Sequence, residues 1–249
     1  MSALRRCAAV LACFAVLGAA AQPQPPSLVL EDLTWPELRD AISAGKTTVL
    51  VPIGGTEQNG PHIVLGKHNA RVWELSGRIA ADLGNALIAP EIAYVPEGTI
   101  DPPSGHMKFP GTVSIPEDAF EKTLEGVARS LRRHGFRDIV FLGDHGGYRR
   151  NLHRVADRLN KEWGGAGARV HPLPEYYVEL PHAGKDDTSL SLAMKRFALV
   201  RRDQVAKAAD KSSGAAADPA GASLEAGLVL YEAIVKRTVE SIKKAVARK

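Results

Sequence analysis

The chain has 249 residues, of which 45% are hydrophobic, and its formal net charge is +4 at pH 7. This is enough apolar material for one α/β domain with a substantial core, and a second full domain is not expected. The charge is small and no basic block is interleaved with aromatic residues, so we do not expect a nucleic-acid partner.

The N-terminus has the pattern of an export signal. Arg5 and Arg6 precede a short apolar run, and small residues ending at Ala21 form an A-x-A cleavage site. The run is too short for a membrane span, and we expect none in the chain. We therefore predict a signal peptide over residues 1–21 and a mature protein that is secreted or periplasmic.

Both cysteines, Cys7 and Cys13, lie within this segment. The mature chain would then have no disulfide and no thiol nucleophile, which leaves histidines and carboxylates as its strong metal ligands. Val10–Cys13 also resembles a lipoprotein box, although the apolar run ahead of Cys13 is too short for one. Residues 22–32 are predicted to be a disordered lead-in to a domain at residues 33–249.

Helical and strand patterns alternate along this domain. The spacing of apolar residues predicts helices at 33–44, 69–83, 114–131, 149–163, 188–199 and 224–247, and strands at 47–53, 86–95, 138–142 and around Val170. Ser114 and Glu117 have capping-box spacing, and the small polar residues of 207–222 predict a flexible linker. Alternation of this kind predicts a three-layer α/β/α fold with a mostly parallel sheet.

Four loops with glycines and metal-capable side chains follow strand candidates. They contain Glu57, Asn59, His62 and His68 in the first, His106 in the second, Asp144 and His145 in the third, and His182 and Asp187 in the fourth. A parallel sheet brings the carboxyl ends of its strands to one edge, so we expect these loops to converge there. The alternative for each loop is that its polar side chains only hydrogen-bond the neighbouring backbone.

The order and spacing of these segments resemble the creatininase family of metal-dependent amidohydrolases. The matching segments are Thr56 to His62, His106 to Thr112, Gly143 to Tyr148, His182 to Ser189 and Asp218 to Ser223. The resemblance runs from about Leu33 to the C-terminus. It implies hydrolysis of a C–N bond in a small cyclic or linear amide, through a metal-activated water, by a protein that forms homo-oligomers.

The chain departs from the family pattern at several ligand positions. Asn59 stands where the family has a histidine, and His68 stands where it has a bridging aspartate. An imidazole cannot bridge two ions as a carboxylate does, because each ring nitrogen points in one direction. We therefore expect one divalent ion, Zn²⁺ or else Mn²⁺, rather than two.

The resemblance assigns the ligands of this ion to Glu57, His68, His145 and Asp187. Two imidazoles with two carboxylates suit Zn²⁺ or a similar ion. Asp187 has an alternative role as the N-cap of the helix predicted to start at Thr188. A site that has lost its ion, in which these groups only hydrogen-bond one another, is the alternative for the whole set.

His182 matches the histidine that handles a proton near the substrate in the family, and it is the expected catalytic residue. Tyr177, Glu179 and His106 are the expected substrate-binding residues. The identities around Tyr177 and Glu179 differ from the family pattern, so specificity for creatinine does not carry over. The competing hypothesis is a non-catalytic domain that keeps the fold and a metal or small-ligand pocket.

Overall fold

Four parallel strands form the sheet at the centre of the computed structural model, which describes residues 25–195 and 198–247. The strands are β1 (Thr48–Ile53), β2 (Ala86–Ile88), β3 (Asp138–Gly143) and β4 (Arg169–Pro172), in the order β2-β1-β3-β4. Val49 of β1 pairs with Leu87 on one side and with Ile139 on the other. The predicted parallel sheet is confirmed.

Six α-helices cover the two faces of this sheet. They are α1 (Trp35–Ser43), α2 (Lys67–Leu83), α3 (Glu117–Arg133), α4 (Arg149–Trp163), α5 (Lys185–Ala193) and α6 (Leu224–Val246). The core on one face contains residues of α1, α3 and α4, and the core on the other contains residues of α2, α5 and α6. Short 3₁₀ turns lie at Leu30–Asp32, Gly105–Lys108, Gly146–Tyr148 and Arg202–Ala209.

The central strands are continuous apolar runs because both of their faces are buried. Val49 and Val51 belong to the core under α3 and α4, whereas Leu50 between them belongs to the core under α2 and α6. Ile139 and Val140 of β3 divide between the two cores in the same way. Such double burial is typical of parallel sheets that helices cover on both faces.

The predicted elements are present with shifted ends. Helix α4 has the predicted bounds, whereas α2 begins at Lys67, two residues early, and so carries His68 in its first turn. Strand β2 ends at Ile88, earlier than the predicted end at residue 95. Beyond it, Ile92 forms an isolated bridge with Ile53 of β1. Among the described residues, no helix combines the length and apolar character needed to cross a membrane.

Ser114 does not cap helix α3, contrary to the predicted capping box. Its hydroxyl accepts a hydrogen bond from the Glu97 N–H at 2.9 Å and donates to the Gly98 carbonyl at 2.7 Å. Pro116 is the N-cap residue, and no side chain bonds there. The Ser114 hydroxyl can hydrogen-bond any backbone group near it, and in the folded chain the groups near it belong to the loop at residues 97–98.

The lead-in predicted to be disordered is attached to the sheet over its last residues. The Ile88 N–H donates to the Leu28 carbonyl at 2.8 Å, and Val29 forms a bridge with Ile88. Leu28 and Leu30 also pack against the core. Burial of these leucines explains why the segment is ordered from there on. The predicted signal peptide, residues 1–21, lies outside the described residues.

Candidate metal centre

The four polar loops converge at the carboxyl edge of the sheet. Glu57 follows β1, His145 follows β3, His182 follows β4, and His106 lies on the loop that follows β2. Glu57 is at the centre of the group, because His68, His106, His145 and His182 each place a ring nitrogen within 3.4 Å of one of its oxygens. The convergence follows from the parallel sheet, as expected.

Glu57, His68 and His145 form the first group that could hold an ion. The Glu57 Oε1 atom lies 2.8 Å from His68 Nε2, and Oε2 lies 3.4 Å from His145 Nε2. One ligand atom from each residue falls within 4.8 Å of the other two. Glu57 Oε2 is buried and has no hydrogen-bond partner among the described residues. Two imidazoles and a carboxylate with a free lone pair are a suitable donor set for a divalent ion.

Asp144 orients the imidazole of His68. Its Oδ2 atom lies 2.7 Å from His68 Nδ1, and the Tyr176 hydroxyl donates to its Oδ1 atom at 2.9 Å. A carboxylate behind Nδ1 fixes the ring and directs Nε2 towards the ion, as in many metal sites. In the sequence Asp144 was only one of the metal-capable side chains of the third loop, and its contact with His68 depends on the position of α2.

Asp187, the predicted fourth ligand, is bonded to two cations instead of joining this group. Its Oδ2 atom accepts from Lys67 Nζ at 2.8 Å and from the Ala183 N–H at 2.8 Å, and its Oδ1 atom accepts from Arg71 at 2.6 Å. Burial alone would raise the pKa of Asp187, but the charges of Lys67 and Arg71 lower it well below its usual range. Both oxygens of Asp187 are thus engaged, and the group that could hold an ion contains Glu57, His68 and His145 without it.

Lys67 and Arg71 were missed in the sequence. Both are buried on the first turns of α2, and Arg71 also donates to Asp144 Oδ2 at 2.8 Å. Lys67 Nζ lies 3.7 Å from Glu57 Oε1 as well. In sequence they look like ordinary helix cations, so only the fold reveals that their charges face the buried carboxylates. They balance Asp144 and Asp187 without any ion.

Asn59 and His62 stabilise the first loop. The Asn59 side-chain amide donates to the carbonyls of Glu57 at 2.9 Å and Val64 at 3.0 Å, so its nitrogen is turned towards the backbone. His62 Nε2 lies 2.9 Å from the Thr188 hydroxyl, which ties the first loop to helix α5. The residue that replaces the family's histidine therefore shapes the loop around Glu57.

His106 and His182 form a second group with Glu57 that could hold an ion. His106 Nε2 is 3.1 Å from Glu57 Oε2, and His182 Nδ1 is 3.4 Å from Glu57 Oε1. The amide nitrogen of Gln58 reaches both rings, at 2.9 Å from His106 Nδ1 and 3.2 Å from His182 Nε2. Sequence reasoning had assigned these histidines to substrate binding and to catalysis.

The segment predicted to be a flexible linker packs onto this second group. The Gln58 amide donates to the Gly214 carbonyl at 3.0 Å, and the Ala216 N–H donates to the His182 carbonyl at 2.8 Å. The Gly60 N–H donates to Gln58 Oε1 at 2.9 Å, which fixes the orientation of the amide. The small residues of the segment serve close packing here, and its role as a free linker is wrong.

Burial lowers the pKa of His106, His145 and His182 beside Glu57. It lowers the pKa of His145 to about 3, with the charge of His68 acting in the same direction, and it lowers the pKa of His182 to about 4. The pKa of His106 is lowered too, first by burial. Burial would raise the pKa of Glu57, but the hydrogen bond and charge of His68 lower it below its usual range. An ionised Glu57 beside the neutral imidazoles of His106, His145 and His182 is ready to bind a cation.

Glu97 is a further carboxyl group that the sequence did not single out. Its side chain is fully buried, and its Oε2 atom lies 3.5 Å from His145 Nδ1. Burial and the charge of Glu57 raise the pKa of Glu97 to about 9. It belongs to none of the recognisable motifs, so only the fold brings it to His145.

A cavity of about 610 Å³ opens beside His145. Its walls include Glu97, Ile100, Ile115 and Gly147, and its size suits a small molecule. Of the residues expected to bind substrate, Tyr177 has the Arg149 guanidinium over its ring, 5.3 Å from the ring centre. Glu179 is exposed. His106 is the one of the three expected residues that reaches Glu57.

The model of the family described as "Creatininase: Creatinine amidohydrolase" matches residues 31–242. A mycofactocin precursor peptide peptidase of Mycolicibacterium smegmatis is 35% identical over 149 residues, which are 58% of this chain and 56% of that protein. A creatinine amidohydrolase of Pseudomonas putida is 29% identical over 119 residues, 48% of this chain and 45% of that protein. The matches thus span about half the length of these curated relatives.

A crystal structure of creatinine amidohydrolase superposes with a TM-score of 0.77 at 23% identity, over 88% of this chain and 98% of that one. At this identity the likeness shows the fold. Related creatininase structures with TM-scores of 0.75 and 0.73 are described as an Mn form and as a mutant of Zn-Zn type.

Proposed function

Because the chain belongs to the creatininase family, we propose that it is a metal-dependent hydrolase of the C–N bond in a small cyclic or linear amide. The observation that supports this most is the arrangement of Asp144, His68, Glu57 and His145. It combines two ligand imidazoles, a shared carboxylate and an orienting group behind one ring, which a structural cluster does not need.

The ion would be held by Glu57, His68 and His145. Zn²⁺ is the proposed ion and Mn²⁺ the second choice, in keeping with the Mn and Zn forms of related creatininases. One ion is proposed rather than two, because Lys67 and Arg71 already pair with the buried carboxylates of Asp187 and Asp144. When bound, a divalent ion polarises an amide carbonyl and activates water as a nucleophile.

His182 would move the proton between the attacking water and the leaving nitrogen. It is neutral at pH 7, because burial lowers its pKa to about 4, so it can accept a proton. Its Nδ1 atom lies 3.4 Å from Glu57 Oε1, and this nitrogen has a lone pair for a proton when the other ring nitrogen, Nε2, carries the ring hydrogen. The Gln58 amide has two hydrogens, and its two shorter contacts, to the Gly214 carbonyl and to His106 Nδ1, use both of them. The longer contact, to His182 Nε2, therefore needs no hydrogen from Gln58, and Nε2 can carry the ring hydrogen.

The substrate would bind in the cavity beside His145, whose volume of about 610 Å³ fits a small amide. One related creatininase structure is described as a complex with creatine, and another relative as a peptidase, so amides of different sizes are reasonable candidates. We also propose, on the pattern of residues 1–21, that the protein is secreted or periplasmic, and that it forms a homo-oligomer.

The second candidate is a non-catalytic domain that keeps the pocket. The observation in its favour is the charge balance of the buried site, where Lys67 and Arg71 already pair with Asp187 and Asp144. A site that is satisfied without an ion does not require one for folding. The two candidates differ in whether the purified protein turns over an amide, because a non-catalytic domain can also keep a metal or a small ligand in its pocket.

The test is elemental analysis of the purified protein after dialysis, followed by assays of amine or ammonia release from a panel of small amides. We expect about one divalent ion per chain, and activity that a chelator removes and Zn²⁺ or Mn²⁺ restores. The Glu57→Gln variant should lose both the ion and the activity, whereas Glu31→Gln, a change far along the chain in an exposed turn, should keep both. A protein without activity, with or without a bound ion, would favour the non-catalytic domain.

A further inference from the structure

The imidazole of His145 has two groups beside its Nδ1 atom, the Gly147 N–H and the carboxyl group of Glu97. The Gly147 N–H donates to Nδ1 at 3.3 Å, which requires Nδ1 to carry no hydrogen. Glu97 Oε2 lies 3.5 Å from the same atom, and it can accept a hydrogen bond from the ring when Nδ1 carries the hydrogen. The neighbouring residues therefore permit both tautomers, and the occupant of Nε2 decides between them.

The Nε2 atom of His145 faces Glu57 Oε2 at 3.4 Å. An ion held between these atoms would bind the lone pair of Nε2, and the ring hydrogen would then have to be on Nδ1. In that tautomer the Gly147 N–H loses its acceptor, and Glu97 gains the donor that it lacks.

Glu97 is an unusual group to bury. Its side chain has no exposed area, and neither oxygen has a hydrogen-bond partner among residues 25–195 and 198–247. Most buried polar atoms are hydrogen-bonded, so an unpartnered buried carboxyl needs an explanation. A proton shared with Glu57 would satisfy one Glu97 oxygen and leave the other still without a donor.

The chain holds this carboxyl group in place from two sides. Ser114 bonds the Glu97 N–H and the Gly98 carbonyl, which fixes the backbone of the loop. Gly55 supplies the space, because a Cβ atom at that position would lie 2.5 Å from Glu97 Oε1. The carboxyl group is thus prepositioned behind His145 at a place where a side chain of the first loop would exclude it.

We propose that Glu97 is a positioning residue of the metal centre, which accepts the Nδ1–H of His145 and so holds its Nε2 towards the ion. This rests on the proposed metal site of Glu57, His68 and His145. Glu97 would be for His145 what Asp144 is for His68, so that each ligand imidazole has its own carboxyl group behind it. Such outer groups orient the ring and raise its basicity as a ligand.

The test is the affinity for Zn²⁺, measured on the full mature chain by competition with a chromophoric chelator. Removal of an orienting carboxyl group weakens metal binding about 10–100-fold, so Glu97→Ala should show a loss of that size. Glu97→Gln, whose amide oxygen still accepts a hydrogen bond, should recover part of the loss. The matched control is Glu117→Gln, since Glu117 lines the same cavity but is exposed and bonded to Arg154; its affinity should stay within about twofold.

Two readouts separate positioning from general damage to the fold. In a His145→Ala background, Glu97→Ala should cost no further affinity, because residues that act through one contact are not additive. Nitrogen NMR of the Zn²⁺-loaded chain should show His145 as the Nδ1–H tautomer, with this preference lost in Glu97→Ala. Equal losses with and without His145, or an unchanged affinity in a folded Glu97→Ala variant, would overturn the proposal.

The outcome for Glu97 is distinct from the outcome for the hydrolase. A chain that binds Zn²⁺ with unchanged affinity in Glu97→Ala overturns the role of Glu97 and leaves the metal site in place. A chain that shows the expected loss but hydrolyses no amide supports Glu97 and contradicts the hydrolase. A wild-type chain that binds no divalent ion contradicts both.

Discussion

Asp144 Oδ2 lies 2.7 Å from Nδ1 of His68, and both residues are buried. The opposite ring nitrogen of His68 lies 2.8 Å from Glu57. An imidazole held in this way cannot turn to a different partner, so its Nε2 atom stays directed at Glu57. The position at which the family has a bridging carboxylate thus contains a histidine with its own orienting group.

The first prediction concerns this pair. Asp144→Asn should weaken Zn²⁺ binding about 10–100-fold, because an amide is a poorer acceptor for the His68 Nδ1–H. Chelator competition on the purified protein measures it. The control is Asp138→Asn, which alters a partly buried pair, between Asp138 and His171 at 3.0 Å, at the opposite end of strand β3. If both variants lose the same affinity, the effect comes from the fold and not from the orientation of His68.

The architecture could be predicted because it depends on local patterns. The apolar runs at β1 and β3 are buried on both faces, and the helical spacing of α4 gives its bounds directly. Parallel strands then bring their loops together, so Glu57 and His145 could be placed at one edge before the fold was seen.

The partners of the site residues could not be predicted, because they come from distant segments. An aspartate such as Asp187 can pair with a metal ion or with an ammonium group, and the sequence does not show that Lys67 faces it. Glu97 follows no motif, and its position depends on Ser114, which has a local alternative as a helix cap. Local sequence preference determines which helices and strands form, whereas tertiary packing determines which polar groups pair with one another.

The second prediction concerns Lys67. Lys67→Met should lower the free energy of unfolding by about 3–5 kcal/mol, because it leaves the buried Asp187 with one cation fewer. Urea denaturation followed by circular dichroism measures this. Lys122→Met is the matched control, since Lys122 pairs with Asp118 at the surface. Equal effects of the two substitutions would contradict a buried ion pair at Lys67.

The third prediction concerns acid stability in the presence of a chelator. Burial, together with the charge of His68, lowers the pKa of His145 to about 3, so this ring stays neutral in the folded chain when the unfolded chain binds a proton. The unfolded state then binds more protons between about pH 6.5 and the lowered value, and stability must fall as the pH falls through that range.

The His145→Gln variant removes this contribution. Its free energy of unfolding should depend less on pH than that of the wild type, by up to about 1.4 kcal/mol per pH unit between pH 6 and 4.5. Urea melts at a series of pH values give the two slopes. His134→Gln is the control because His134 is at the exposed end of helix α3. A His145→Gln slope equal to the wild-type slope would mean that His145 is protonated in the folded protein.

The last prediction concerns the segment that packs onto Gln58. Gly214 has a φ of +85°, and a Cβ atom there would overlap the Gln58 side-chain amide. Gly214→Ala should therefore displace Gln58 from both His106 and His182, and so lower turnover as well as stability.

Gly165→Ala is the matched control, because Gly165 has a φ of +79° and a Cβ atom at that position would have no neighbouring atom within 4 Å. Both substitutions carry the backbone cost of a left-handed conformation, about 1–2 kcal/mol. Only Gly214→Ala should also shift the imidazole NMR signals of His106 and His182 and reduce kcat. If the two variants lose stability equally and leave those signals in place, Gln58 does not depend on this segment, and the proton-transfer role of His182 must be supported without it.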